Sequence, residues 1–571
     1  MASSPAPRTR NAAHSLNTAL DLHRRGKLAD AIQVYRRLWA THRRQFDVPF
    51  LLGTALAQSG AYGEGLSLLD QALQLRPLDP GALDARGNAL AGLGRFSEAV
   101  GSYDEALRQS PSMANTLHNR GVSLAALGRS EEALASYEQA IALNPAYVEA
   151  HNNRGNVLAA LRRDREALAS YDRALEGKRD FFDALVNRSI ALRMLHRFEE
   201  ALDSSDDALR QRPLSAEAHG SRAAALASLG RYQEARTAYE HALRLNPGLA
   251  DARWNSALLH LLRGEYRGAW AQYESRWQVK SLGLVPRFPN IPAWNGRADV
   301  RGRTLLLHAE QGYGDTIQFC RYASVLRDQG ARVVLEVPAS LVALLRSLDG
   351  PAQVITQGTA LPEFDMHCPL PSVACALGTD KESIPARYRY LSATTKDLHA
   401  WAARLGPRHG LRVGIVWSGN PAHRNDARRS MRLTELMPLG ACGVELISLQ
   451  KMLRAEDVPE LPKAGFRHFA EHLTDFAQTA ALIAHLDLVI TVDTAVAHLA
   501  GAIGADTWIM LPNVPDWRWL LDRDDSPWYP TVRLWRQDPS GCWGPVIAQI
   551  VQKIRAIQSN LATKGPCPKC F

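Results

Sequence analysis

A register of 34 residues runs through the first half of this 571-residue chain, and few folds can accommodate it. Prolines stand at Pro77, Pro111, Pro145, Pro213 and Pro247, with Arg179 in the one slot that breaks the series. Glycines fall at Gly26, Gly60, Gly94, Gly128, Gly230 and Gly264, with Arg162 and His196 in the two missing places. Alanines recur at Ala72, Ala106, Ala140, Ala174, Ala208 and Ala242, and tyrosines at Tyr103, Tyr137, Tyr171, Tyr239 and Tyr273. Each has a physical task. The glycine ends one helix and turns the chain into the next. The alanine lets two helices approach, and the tyrosine fills the space between them. The proline stops the second helix and opens the next unit. One such unit cannot bury its own apolar face, so the units must stack into a solenoid.

The pattern resembles the tetratricopeptide repeat, with about seven full units and a partial eighth. Solenoids of this type usually hold peptide in the concave groove. Asn119, Asn153, Asn187 and Asn255 recur at one register position, with Ala85 and Ser221 in the other slots. An amide carries both a donor and an acceptor, so a row of them can grip an extended backbone without reading its side chains. The row resembles the asparagine ladder of O-linked N-acetylglucosamine transferase. The plainer alternative, that Asn is common at this position, stands beside it. Arg86, Arg120, Arg154, Arg188 and Arg222 follow one residue later and are expected to pair with acidic residues of neighbouring repeats.

Composition sets the wider limits. The length calls for several domains. No apolar run is long enough to span a bilayer, and the start MASSPAPRTR lacks the apolar core of a signal peptide, so a cytoplasmic protein is expected. The net charge of +9 comes from dispersed arginine rather than a basic stripe with interleaved aromatics, which argues against nucleic acid and for anionic small ligands. Seven cysteines at irregular spacing do not make a disulfide framework. Cys567 and Cys570 form a CPKC pair, but a tetrahedral metal site needs four ligands and only Cys542 is near. No metal and no cofactor are therefore expected.

The repeat pattern ends after LLRGEYRGAWAQYESRW, giving a superhelix over 1–277 and a Pro- and Gly-rich linker over 278–300. Beyond it, short apolar runs alternate with helix-length segments. TLLLHAE, RVVLEVP and QVITQG are expected strands of a first lobe, 301–408; RVGIVWSG, VELISLQ, DLVITVD and TWIML those of a second, 409–545. Residues 546–571 are read as a helix and tail. Such alternation implies doubly wound parallel sheets, whose ligands bind outside the carboxyl ends of the strands.

Three stretches carry candidate chemistry. In HAEQGYGDTIQFCRYA a strand ends at Glu310 and a helix begins near Asp315, with Gly312 and Gly314 expected to permit a tight turn and close approach. Asp315 is either a plain helix cap or a carboxylate facing the cleft. In VGIVWSGNPAHRNDARRSMRL a buried strand runs into a loop bearing Ser418, Asn420, His423, Asn425, Arg428, Arg429 and Ser430, suited to an anionic ligand. In DLVITVDTAVAHLAGAIGADTWIML, Asp493 and Thr494 lie where a strand hands over to a helix, whose free amides suit phosphate. His498, one turn in, is either a ligand contact or a packed helix histidine.

Together these stretches, over roughly 300–550, resemble the heptosyltransferase-like glycosyltransferases of the GT-B fold. The fold class expected is thus α + α/β, a tetratricopeptide α-solenoid followed by two Rossmann-like lobes. EQGYGD resembles that family's Gly-Asp motif, which implies Asp315 as general base with Glu310, Gln311 and Gly314 on the acceptor side. DTAVAH resembles the motif that cradles the donor diphosphate, with Ala495 where the family usually has Gly. Asp493, Thr494, Ala495 and His498, together with Ser418, Asn420, Arg429 and Gln450, are the implied donor side. The whole chain resembles bacterial repeat-containing glycosyltransferases thought to modify proteins, including flagellins. This implies an inverting, metal-independent transfer from a nucleotide sugar to Ser or Thr of a protein held by the repeats. A glycan acceptor, or a non-catalytic scaffold, are the alternatives.

Overall fold

The computed structural model describes residues 7–423 and 425–564. Cys567 and Cys570 lie outside the described residues. The chain divides into two compact units, one ending at Ala225 and the other beginning at Leu226.

The first unit is a stack of antiparallel helix pairs, from Pro7–Arg24 with Leu28–Thr41 to Phe182–Met194 with Phe198–Gln211. Its register follows from sterics. The turn glycines Gly26, Gly60, Gly94 and Gly128 all have φ between 73° and 89°. Arg162 and His196 take the same left-handed conformation, at 64° and 61°, although a Cβ makes it costly. The helix pairing therefore dictates the turn, and glycine only makes it cheap. A second glycine in each repeat has a different role: a Cβ at Gly87, Gly121 or Gly155 would lie 2.4–2.6 Å from the ring of Tyr103, Tyr137 or Tyr171. Each tyrosine lies flat on the missing side chain.

The arginine row is an inter-repeat clamp, as expected. Arg86 Nε donates to Asp70 at 2.7 Å in the preceding repeat and its Nη1 to Ser102 at 2.6 Å in its own. Arg120 repeats this with Asp104 and Ser136, and Arg154 with Glu138 and Ser170. Arg188 and Arg222 hold Asp172 and Asp206.

The second unit begins within the repeats. Its helices Tyr232–Leu245, Ala250–Leu262 and Tyr266–Tyr273 continue the pattern, but the last is broken at Arg267–Gly268, where Gly268 has φ 78°. The break turns Trp270 and Tyr273 into the core of the α/β region. Trp270 donates to the Thr379 carbonyl at 2.8 Å and meets Trp517 edge-on at 5.5 Å. Tyr266 accepts from Trp528 at 3.2 Å. The sequence put the end of the repeats at 277; the compact division falls after Ala225, because the final repeats share one core with the lobes.

Two parallel sheets follow. Strands β1 (Thr304–His308), β2 (Arg332–Val337), β3 (Gln353–Thr356) and β4 (Met366–Pro369) form the first, in the order β3-β2-β1-β4. Strands β5 (Arg412–Val416), β6 (Glu445–Ser448), β7 (Arg467–His468), β8 (Leu488–Val492), β9 (Thr507–Leu511) and β10 (Val532–Arg536) form the second, in the order β10-β9-β8-β5-β6-β7. Both orders reverse beside the first strand of the sheet, so the crevices open at the carboxyl ends of β1 and β4 and of β5 and β8. Segment 278–300 is docked rather than loose. Ala293 forms a parallel bridge to His367 on β4, Trp294 is buried, and Arg287 holds the fully buried Glu336. The helix Gly544–Lys564 lays Ile547, Ile550 and Ile554 on the second sheet's core.

Candidate active site between the two lobes

In the first lobe β1 ends at His308 and the chain turns into the helix Tyr313–Phe319. Asp315 is the third residue of that helix, and its Oδ2 accepts from the Gly312 amide at 3.0 Å. The capping role is therefore real. The other carboxylate oxygen meets a guanidinium from the second lobe, that of Arg518. Arg518 stands in the 3-10 turn Trp517–Trp519 that follows β9, and it also donates to Asp516 at 2.8 Å and to Gln318 at 2.6 Å. Burial pushes the Asp315 carboxyl above its ordinary range; Arg518 pulls it down, and Asp516 pushes it up again.

The crevice of the second lobe is bridged by Arg429. It leaves the short helix Asp426–Arg429, passes over Gly419 and donates to the Asp493 carbonyl at 2.9 Å, joining the ends of β5 and β8. A Cβ at Gly419 would lie 2.6 Å from Nη2 of Arg429, so a side chain here would push the guanidinium off its present path. Gly419 itself donates to Ser430 at 2.9 Å, and Ser430 to Asp426 at 2.8 Å, which fixes the loop. The Asp493 carboxyl is pushed up to about 6, first by burial and then by Asp516, with Arg429 opposing. Thr494 caps the helix Ala495–Ala502 through its backbone, and Ala495 opens that helix outside the left-handed region. Burial lowers His423, as does Arg429, while Asp516, Asp426 and Asp315 act on it in the opposite direction. That set of neighbours puts His423 between the two carboxyl-end clusters.

Asp315, Arg429, Asp493 and Thr494 thus come together, and several expected partners do not. Glu310 is buried in a two-pronged pair with Arg276, both bonds at 2.7 Å, and lines the cavity at the end of β1. Gln311 is turned to Glu310 at 3.1 Å and to Tyr273 at 3.4 Å. Gln450 spends its amide on the backbone of Ser418, donating to the carbonyl at 2.9 Å, and so cross-links strand ends. Asn420 closes its own turn by accepting from Ala422 at 3.0 Å. His498 is a packed histidine: its Nδ1 bonds Tyr529 at 2.8 Å, its ring stacks on Trp519, and burial holds it well below the usual imidazole range.

The two motif glycines also have a role the sequence did not suggest. Neither Gly312 nor Gly314 is left-handed. A Cβ on Gly314 would lie 2.7 Å from Cδ2 of His498, so this glycine lets the first lobe close on the second. Arg518, Asp516 and Trp519 were missed. The cluster PDWRW, two residues beyond the stretch TWIMLP, was the available signal, since charged residues at a strand's carboxyl end sit where ligands bind.

In the first lobe a cavity of about 430 Å³ opens at the end of β1, lined by Trp277, Leu284, Val285, His308 and Gln357 among others. In the repeats the asparagine row is partly spent. Asn119 donates to Asn88 at 2.9 Å, Asn187 to Asn152 at 3.1 Å, and Asn153 meets His118 at 3.0 Å. Asn255, half-buried, lies in the second unit. Among the described residues no helix is long and apolar enough to cross a membrane.

Comparison with known proteins agrees with this architecture. Tetratricopeptide repeat models match residues 50–114 and 216–249, and a TPR repeat model matches 123–161. The model of glycosyltransferase family 9 (heptosyltransferase) matches residues 469–507, which include Asp493, Thr494 and His498. The chain is 28% identical over 314 residues to protein FlbA of Caulobacter vibrioides, covering 49% of this chain and 51% of that protein. It thus spans about half the length of this curated relative. Among solved structures, YrrB, a TPR protein with an unusual peptide-binding site, is 21% identical over 32% of this chain and 95% of its own, with a TM-score of 0.29. Pseudomonas aeruginosa pilF is 20% identical over 37% of this chain and 96% of its own, with a TM-score of 0.34. The chain resembles a tetratricopeptide-repeat glycosyltransferase.

Proposed function

We propose that this chain moves a sugar from a nucleotide-sugar donor to a hydroxyl of a protein segment, with inversion and without a metal. The observation that carries the reading is the chain of charges that joins the lobes: Arg518 holds both Asp315 and Asp516, Asp516 acts on Asp315 and on Asp493, and Arg429 bonds the Asp493 carbonyl beside Thr494. The diphosphate lies over the amides that open the helix Ala495–Ala502, where the partial positive charge of a helix end gathers. The acceptor oxygen attacks C1 of the sugar as the bond from C1 to the phosphate oxygen breaks. Asp315 takes the acceptor's proton, and Arg429 neutralises the departing nucleoside diphosphate. The acceptor segment enters the cavity at the end of β1, whose lining combines apolar Trp277, Leu284 and Val285 with polar Gln357 and charged Arg287 and Glu310.

Two measurements test this. Thermal shifts with UDP, GDP, ADP and CMP identify the nucleotide, since a ligand at a hundredfold excess over its dissociation constant adds about 2.7 kcal/mol to stability. Asp315→Asn keeps the shape and the cap but cannot take the proton, so transfer falls by about 10²–10⁴-fold while nucleotide binding persists. Unchanged turnover in that variant leaves Asp315 as a cap alone. Arg429→Ala weakens the diphosphate by about 1.5–3 kcal/mol and the bare nucleoside far less. Equal losses place Arg429 away from the phosphates.

A further inference from the structure

We propose that Arg518 is the positioning residue that reaches from the second lobe to hold the Asp315 carboxylate of the first as a base. The inference rests on the reading of Asp315 as base. The two residues belong to different lobes, Asp315 to the helix after β1 and Arg518 to the turn after β9. Their contact is therefore made or lost with the approach of the lobes themselves. The approach is tight at this point, because Gly314 beside Asp315 admits His498 at a distance no Cβ would allow.

The guanidinium is held from three sides. Gln318 takes Nε at 2.6 Å, Asp516 takes Nη1 at 2.8 Å, and the plane lies over the Trp517 ring with its carbon 4.4 Å from the centroid. Only Nη2 is left to point at Asp315. The loop also stores strain to hold this arrangement. Leu520 and Asp522, neither of them glycine, have φ of 53° and 52°. Such residues are strained and persist where their surroundings over-determine them.

The charges around Asp315 explain why it needs this partner. Asp516 acts on it with like charge, as does Glu310 despite its pairing with Arg276, and Asp315 in turn acts on Tyr273 and on His423 of the loop after β5. The Gly312 amide supports the anion from its own helix. Arg518 is the cation that contacts the carboxylate. Without it, burial and two neighbouring carboxylates all favour the protonated form, which cannot accept a proton from the acceptor hydroxyl.

The test reads protonation directly on the full-length chain. Carbodiimide with glycine ethyl ester modifies carboxyls in the protonated form, and peptide mass spectrometry locates the modification at Asp315 as pH is varied. The quantity of interest is the midpoint, because altered accessibility changes the plateau and not the midpoint. Arg518→Gln should raise the midpoint by about one to three pH units, the effect of an adjacent guanidinium. Arg518→Lys should stay closer to the native chain. Asp516→Asn removes a like charge from beside Asp315 while leaving an amide oxygen that can still accept from Nη1 of Arg518; it should lower the midpoint, and it serves if Arg518→Gln does not fold. Midpoints that stay in place overturn the proposal. The reading of the base fails separately: it falls if Asp315→Asn still releases nucleoside diphosphate at the native rate from the nucleotide sugar found by the thermal-shift screen, whatever the midpoints do.

Discussion

Arg276, at the end of the last repeat, and Glu310, at the end of the first strand of the first lobe, hold each other by two bonds of 2.7 Å with both side chains buried. Arg276 also donates to Ser372 at 2.6 Å and to Glu274. A buried pair of this kind is costly to break, because the survivor is an uncompensated charge. The final repeat is therefore a structural part of the α/β region.

A truncation follows from that pair. A chain beginning at 278 lacks Arg276, Trp270, Tyr273 and Tyr266 and leaves Glu310 buried alone, so it should aggregate or unfold. A chain beginning at 230 keeps them and should fold and bind nucleotide. The sequence alone put the end of the repeats at 277. Soluble yield and a cooperative thermal transition for the two chains decide it, and equal behaviour removes the structural role of the pair. In the full chain Arg276→Met should cost about 3–5 kcal/mol.

Gly314→Ala places a methyl group against His498. Neither side can give way easily, since His498 is fixed by Tyr529 and Trp519. Overpacking of this sort costs about 1–3 kcal/mol, and here it also holds the lobes apart. Transfer should fall more than nucleotide affinity, because the donor residues lie on one lobe. Steady-state turnover set beside the nucleotide dissociation constant reads the difference.

Changing Asn119, Asn153 and Asn187 together to Ala should do more than loosen a grip on peptide. Each amide bonds a side chain of the preceding repeat. At about 0.5–1.5 kcal/mol net for each bond, the triple variant should lose roughly 1.5–4.5 kcal/mol if the losses add. Urea unfolding measures it. Unchanged stability with weakened acceptor binding would assign the row to the peptide alone.

The pH dependence of the first lobe should show His308. Burial, aided by His367 and Arg287, holds this imidazole down to about 3. Its folded value lies below the unfolded one of about 6.5, so the unfolded chain binds the proton first and stability falls as pH drops below that. From pH 7 to 4.5 the group should cost about 2–3 kcal/mol. His308→Gln keeps a partner for His367 and removes the titration, so its urea midpoint should fall less over the same interval. Parallel curves for the two chains would refute this.

Strands with apolar runs were legible in the sequence: TLLLH, RVVLEV, RVGIV, LVITV and TWIML all form as read. The strands that were not legible lack the signal for a physical reason. Met366–Pro369 carries His, Cys and Pro, and its place in the sheet is secured by β1 on one side and by Ala293 on the other. Val532–Arg536 is an edge strand interrupted by an exposed Arg533 and by Arg536, which bonds the Trp519 carbonyl, and Arg467–His468 is two residues long. The motif residues were legible as types at strand ends. Their roles were not, because Gln450 and His498 read as polar groups at a ligand site while the structure spends them on Ser418 and Tyr529.

What the sequence by itself determined is whatever depends on neighbours along the chain. The 34-residue register specifies helix, turn and the contact of each repeat with the next, so the pairing of Arg86 with an acidic residue of the adjoining repeat follows from spacing alone. Apolar runs between helices likewise specify parallel sheets. What only the tertiary structure decided is what distant segments do to one another. Arg518 and Asp315 are 203 residues apart, Arg276 and Glu310 34, and no local pattern links either pair. Repeats are held by nearest-neighbour contacts that recur at a fixed spacing and so leave a period in the sequence. A cleft between two lobes is made once, from strand ends that share no register, and leaves none.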